Sequence, residues 1–301
     1  MYGGILPPIK IKERKMAVFY NQATLNFGGR VTNSNVTEGE VITRVSLTKT
    51  AVSTDYGPGD NIVYAVTLTN ADTEDKTGIT LTDNLGEFAT EGGGVVVPLN
   101  YVDGSILYYR NGVLQPAPTV NAGPPLVING IDIPAGGNVI ILYETRANTN
   151  APLSAGAVVS NRVTATGDSI CDDLAGESSV TTREEANLSI AKAICPATIT
   201  CGDEVTYTFI IQNSGNTSVV ATDDLIVSDI FNPPLSGIAV TLNGTALVVD
   251  VGYTYDETTG AFNTIAGAVT VPAATYVTDP LTGVVTTSPG VAELVITGTI
   301  K

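Results

Sequence analysis

The sequence predicts an all-β protein of two tandem antiparallel β-sandwiches preceded by an extended strand, and three observations carry that prediction. Apolar residues alternate with a period of two, as in Ile62, Tyr64, Val66 and Leu68 and again in Val205, Tyr207, Phe209 and Ile211, which gives strands with one buried face. Turn formers abound: 31 Gly and 16 Pro occur in 301 residues, and Gly-Asp, Asn-Gly, Pro-Gly and Gly-Gly dipeptides punctuate the chain while no helical stripe runs beyond a couple of turns. The third observation is an internal repeat.

Val45-Ser-Leu-Thr-Lys49, followed by Gly59-Asp60, Tyr64 and Asn70, returns as Leu188-Ser-Ile-Ala-Lys192, followed by Gly202-Asp203, Tyr207 and Asn213, at a constant offset of 143. Leu81-Thr-Asp83 then matches Val227-Ser-Asp229, Asn111-Gly112 matches Asn243-Gly244, and Ile133-Pro-Ala135 matches Val271-Pro-Ala273, with the drifting offsets that loop insertions produce. Two copies of one domain follow, and their short strands and frequent turns place them among immunoglobulin-like sandwiches.

Taken in order, residues 1–16 are an N-terminal extension, basic, proline-bearing and unmatched in the second copy, with Met16 as an alternative start. Residues 17–28 read as a strand and 29–44 as a connector. Residues 45–166 form the first sandwich, 167–186 a second connector and 187–301 the second sandwich. The first copy ends with the strand Val158-Val-Ser-Asn161-Arg-Val-Thr-Ala-Thr166, whereas the second stops at Lys301 without an equivalent, so it is expected to lack its final strand. A matching segment stands at the other end of the chain: Val18, Phe19, Asn21, Ala23 and Leu25, with Phe27 beyond, align with Val158, Val159, Asn161, Val163 and Ala165 at an offset of 140. A sandwich without an edge strand exposes unpaired backbone groups and an open stripe of core. Addition of an extended segment closes both. Residues 17–28 are therefore read as a donor strand for the second domain of a neighbouring copy, and a head-to-tail contact that does not close builds a filament. The alternative is a monomer whose tail folds back onto its own second domain, serving as an adhesive or carbohydrate-binding module. The short connector disfavours it, since extended chain gives at most ~3.5 Å per residue with which to span the first domain.

Composition narrows the function classes. Against 14 Lys plus Arg stand 30 Asp plus Glu, for a net charge of −16, which disfavours nucleic acid and anionic lipid surfaces as partners. There is no apolar run long enough to cross a membrane as a helix. No histidine is present, so the commonest general base and metal ligand is missing; no enzyme activity, metal site or cofactor is expected. The acidic loops around Asp172, Asp223 and Asp250 match no calcium-loop spacing. The three cysteines allow one disulfide plus a spare thiol. Cys195 with Cys201 is the candidate pair, Cys171 the spare, and free thiols are the other reading.

The ordered pattern of Lys49, Gly59-Asp60, Tyr64, Asn70 and Asp83, its second copy, and the closing Asn161-x-Val-Thr strand resemble the conserved tandem repeat domain of unknown function found in bacterial and archaeal surface proteins. Donor-strand pili and spore-appendage fibres are similar in plan. The resemblance implies an extracellular structural role at a cell or spore surface, with copies of the chain itself as partners in a helical homopolymer. A signal peptide is not evident, which leaves the export route open.

Strand parity adds chemistry. Lys49 shares its face with Val45, Leu47 and Ala51, and Lys192 with Leu188, Ile190 and Ile194; Asp83, Asp229, Asn161 and Asn21 likewise fall on apolar faces. Each domain thus directs one Lys, one Asp and one Asn inward, where an unpaired charge is costly. An apolar setting lowers a lysine pKa and raises a carboxyl pKa, the conditions for a spontaneous Lys–Asn isopeptide bond. Similar bonds occur between first and last strands of Gram-positive pilins. The candidate sets are Lys49, Asp83 and Asn161 within the first domain, and Lys192, Asp229 and Asn21 of the next chain. The other reading is a buried, hydrogen-bonded ion pair without a covalent bond.

Overall fold

The computed structural model describes residues 14–170 and 173–301. It divides near Val180 into two compact units, each an antiparallel β-sandwich.

In the first unit one sheet runs in the order Val113–Gln115, Leu107–Arg110, Asn138–Ala147, Asn61–Asn70, Val45–Ala51. The facing sheet runs Thr119–Asn121, Leu126–Ile133, Lys76–Asp83, Val158–Thr166, Leu174–Thr182, Asp55–Tyr56. The alternation seen in the sequence is the core: Ile62, Tyr64, Leu68, Ile79, Leu81 and Ile141 are buried between the sheets.

The second unit repeats the five-strand path of that sheet, in reverse order of naming, as Leu188–Cys195, Glu204–Asn213, Gly290–Ile300, Leu235–Leu242 and Thr245–Ala246, without a counterpart to the short Leu99–Tyr101 strand that also pairs with Asn138–Ala147 in the first. Its core gathers Val205, Phe209, Phe231, Phe262, Leu294 and Ile296. The other sheet is cut short. It holds Ser228–Ile230, Ala261–Thr264 and Tyr253–Tyr255, and among the described residues no strand pairs with the far edge of Ser228–Ile230. The corresponding strand of the first unit, Lys76–Asp83, is paired on both sides.

Repeated residues do repeated work. Asn70 Nδ2 donates to the carbonyls of Glu74 (2.9 Å) and Pro134 (3.1 Å) while its Oδ1 accepts from Asp72 N–H (3.0 Å). Asn213 Nδ2 donates to Thr217 (2.7 Å) and Pro272 (3.1 Å), and Oδ1 accepts from Gly215 N–H (2.9 Å). A buried amide with its partners satisfied pins the same turn in both units. Asn111-Gly112 and Asn243-Gly244 take positive φ at both positions (49° and 77°, 49° and 78°), which suits a two-residue hairpin loop.

The N-terminal tail is a ladder of four strands, β1 (Arg14–Asn21), β2 (Thr24–Phe27), β3 (Arg30–Asn33) and β4 (Thr37–Thr43). β2 pairs with β3 across Gly28-Gly29, both at positive φ, and β1 pairs with β4, Asn21 opposite Thr37. Residues 18–38 are exposed, including Phe27 at 83%.

The two stretches expected as connectors differ from that reading. Residues 29–44 carry β3 and β4, and residues 167–186 carry the strand Leu174–Thr182, because in each case the neighbouring strand has a second edge whose backbone groups need partners. The expected Cys195–Cys201 disulfide is absent: both are exposed free thiols, Cys195 closing a strand opposite Thr206 and Cys201 inside the turn that the Asp203 carboxylate closes on Thr200 N–H. Cys171 and the extension before Arg14 lie outside the described residues.

Candidate crosslinking and strand-acceptor site

In the first unit the three predicted residues come from three strands and both sheets. Lys49 rises from the Val45–Ala51 strand, Asp83 ends the strand across the sandwich, and Asn161 sits on the Val158–Thr166 strand, where Val163 stands opposite Asp83. Lys49 Nζ donates to Asp83 Oδ2 at 2.5 Å, with side chains 0% and 2% exposed. The Tyr143 hydroxyl donates to the same oxygen, and Leu85 N–H donates to Oδ1 at 2.9 Å. The ammonium lies over the Tyr64 ring, 4.5 Å from its centroid, and 5.8 Å from that of Tyr143. Cation–π contact of this kind is attractive and stronger when desolvated.

Asn161 is wholly buried beside the hydroxyls of Tyr64 and Tyr143. Its Oδ1 accepts from Gly86 N–H at 3.2 Å, but its Nδ2 has no hydrogen-bond partner among the described residues, nor does the Tyr64 hydroxyl. Burial lowers the Lys49 pKa to about 8, against the raising effect of Asp83. Burial, then the Asp83 charge, pushes the Tyr143 hydroxyl well up, so it stays a donor. The pocket therefore holds a partly neutral amine, a carboxylate in contact with it and an amide whose nitrogen is unsatisfied.

Tyr143 escaped the sequence reading, and Tyr64 entered it only as a core position of the repeat. Each falls on an apolar parity position and reads as ordinary core, although their opposition in neighbouring strands puts both rings against the ammonium and the Tyr143 hydroxyl on the carboxylate.

The second unit holds the same pair in an open setting. Lys192 donates to Asp229, and its Nζ lies 4.6 Å from the Tyr207 ring centroid, as Lys49 does over Tyr64. Ile296 faces Tyr207 where Tyr143 faces Tyr64, so the second hydroxyl is missing and Phe231 supplies a ring instead, 5.2 Å from Nζ. The Lys192 and Asp229 side chains are 39% and 20% exposed. All of Leu188–Cys195 is exposed, including Ile190 at 58%. Beside this strand an open cleft of about 290 Å³ is lined by Leu188, Ile190, Ile211, Leu225 and Val227. In the first unit the corresponding face is roofed: Ser178 Oγ accepts from Ala51 N–H (2.9 Å), and Gly176 lies so close that a Cβ there would meet Leu47 Cδ2 at 2.4 Å and Lys49 N at 3.0 Å. Asn21, the third member of the second set, lies exposed on β1 with Val18, Phe19, Ala23, Leu25 and Phe27 on the same tail.

No family model and no curated protein matches the chain. Among solved structures it is similar to the major pilin BcpA of Bacillus cereus, at 11% identity over 90% of this chain and 70% of that one, with a TM-score of 0.36. The major pilin SpaD of Corynebacterium diphtheriae gives 13%, 82%, 59% and 0.35, and the N-terminal domain of the Streptococcus gordonii adhesin Sgo0707 gives 18%, 50%, 36% and 0.33. The chain thus spans less than two thirds of the latter two.

Proposed function

We propose that the chain is a structural subunit of an extracellular or spore-surface filament that polymerises head-to-tail, lending its N-terminal strand to the second domain of a neighbouring copy. One contrast carries the reading: the same Lys–Asp pair is sealed in the first sandwich and partly open in the second, where among the described residues no strand takes the place of Val158–Thr166 and the segment that matches it in sequence lies exposed in the tail. The role is structural rather than catalytic.

A lock on the joint follows from the same residues. Neutral Lys49 Nζ attacks Asn161 Cγ and a C–N bond forms. Asp83 takes the proton that Nζ loses and passes it to Nδ2, the Cγ–Nδ2 bond breaks and ammonia leaves. Atoms balance without an oxidant or cofactor. Lys192 and Asp229 would do the same with Asn21 of the next chain, and the filament would become covalent.

Negative-stain microscopy of the full chain beside a deletion of residues 17–27 tests the reading. Filaments from the first and soluble single particles from the second support it. A full chain that stays monomeric, with a deletion that unfolds, points to fold-back closure and overturns it.

A further inference from the structure

Among the described residues, the gap in the second domain is two strands wide. Its short sheet stops at Ser228–Ile230, whereas the matching sheet of the first domain continues through Val158–Thr166 and then Leu174–Thr182, the strand that roofs Lys49. A single donated strand would pair with Ser228–Ile230 and leave Ile190 and Lys192 uncovered. The tail is not a single strand either: β1–β2 is already paired with β3–β4 about the Gly28-Gly29 turn.

The two halves of this hairpin map onto the two covering strands. Asn21 corresponds to Asn161, and Gly39-Glu40 on β4 corresponds to Gly176-Glu177, the glycine that passes Leu47 and Lys49 at closest approach. Charge agrees. Residues 14–43 carry three Lys or Arg against two Glu, a net +1, within a tail of residues 1–44 that is net +3, while residues 187–301 carry two against ten, a net −8. Residues 45–186 make up the remaining −11, so the tail is the positive segment of an acidic chain.

We propose that the tail is donated as a two-stranded hairpin, residues 14–43, of a second copy: β1–β2 completes the Ser228–Ile230 edge and β4 lies over Ile190 and Lys192. This rests on strand donation in trans and specifies its form. With Asn161 aligned to Asn21 and Asp83 to Asp229, the Thr164–Thr82 pair of the first domain becomes Thr24 opposite Ser228 of the neighbour. The Ser178–Ala51 contact becomes residue 41 against Ile194.

Two cysteine pairs in the full chain, with Cys171, Cys195 and Cys201 replaced by serine, separate the possibilities. Thr24→Cys with Ser228→Cys reports on the inner strand, and Val41→Cys with Ile194→Cys on the outer. A reducible ladder of oligomers from both pairs is expected. A ladder from the inner pair alone overturns the hairpin and leaves single-strand donation standing. No ladder from either, in folded protein, sinks both. A disulfide inside one chain, with loss of two hydrogens and no ladder, replaces donation by fold-back. Ile190→Glu in the otherwise native chain, at a position exposed in unassembled protein, is the second measurement. Covering that charge with β4 should weaken joining about tenfold or more, whereas assembly equal to that of the unaltered chain overturns the placement of β4.

Discussion

At the scale of residues, two chemically identical ion pairs sit in unlike solvents. Lys49–Asp83 is sealed, so removing the carboxylate leaves an ammonium with neither water nor counter-charge. Asp83→Ala should destabilise the first domain by about 3–5 kcal/mol. Asp229→Ala in unassembled protein should change the second by at most ~1 kcal/mol, since water screens its half-open partner. Denaturant melts of the two variants check this, and equal losses would contradict it. Burial also sets a pH dependence. With Lys49 lowered to about 8, a protonated amine predominates at pH 7 and a neutral one above pH 9. If ammonia loss at Asn161 requires the neutral amine, its rate on refolding should rise about tenfold between pH 7 and 9 and then level off. Intact mass over time reads this directly, and Asn161→Ala should lose no ammonia at any pH. Lys49, Asp83 and Asn161 were legible because charged or amide residues on an apolar parity break the pattern. Tyr143 was not, because a tyrosine in such a position keeps it.

Among elements, the first sheet of each sandwich could be read from alternation and the Asn-Gly turns alone. Leu174–Thr182 could not: Ala-Gly-Glu-Ser-Ser carries almost no strand preference, and the segment is extended because it covers a neighbour's edge and face. β3 and β4 are similarly polar, yet Gly28-Gly29 between two short runs is a hairpin signal that was present in the sequence. Open edges have a dynamic signature. The amides of Leu188–Cys195 that point away from Glu204–Asn213, and those at the open edge of Ser228–Ile230, should exchange quickly in unassembled protein, while those of Lys76–Asp83 are protected. Assembly should slow the former by orders of magnitude. Unchanged exchange in filaments would mean the cleft is not where subunits meet.

For the whole molecule, the repeat explains why two domains of one plan end differently. The first is closed by strands that follow it in its own chain, and its Lys–Asp–Asn pocket is complete. The second presents the same Lys and Asp on an uncovered face, and the corresponding Asn lies on an exposed hairpin. If each junction between copies repeats the junction inside a sandwich, growth requires no surface beyond these two, and the assembly is directional. Deleting residues 17–27 should then be dominant only at one end: such a chain accepts a hairpin but donates none, so adding it to growing full-length protein should shorten filaments in proportion to its share.

The path of the chain through an assembled particle tests donation in trans most directly. An electron cryo-microscopy map, traced outward from Val45, should show residues 14–43 entering the second domain of the adjacent subunit, with Asn21 against its Lys192. A trace in which those residues return to their own second domain, or in which that cleft is filled by any other segment, would contradict it.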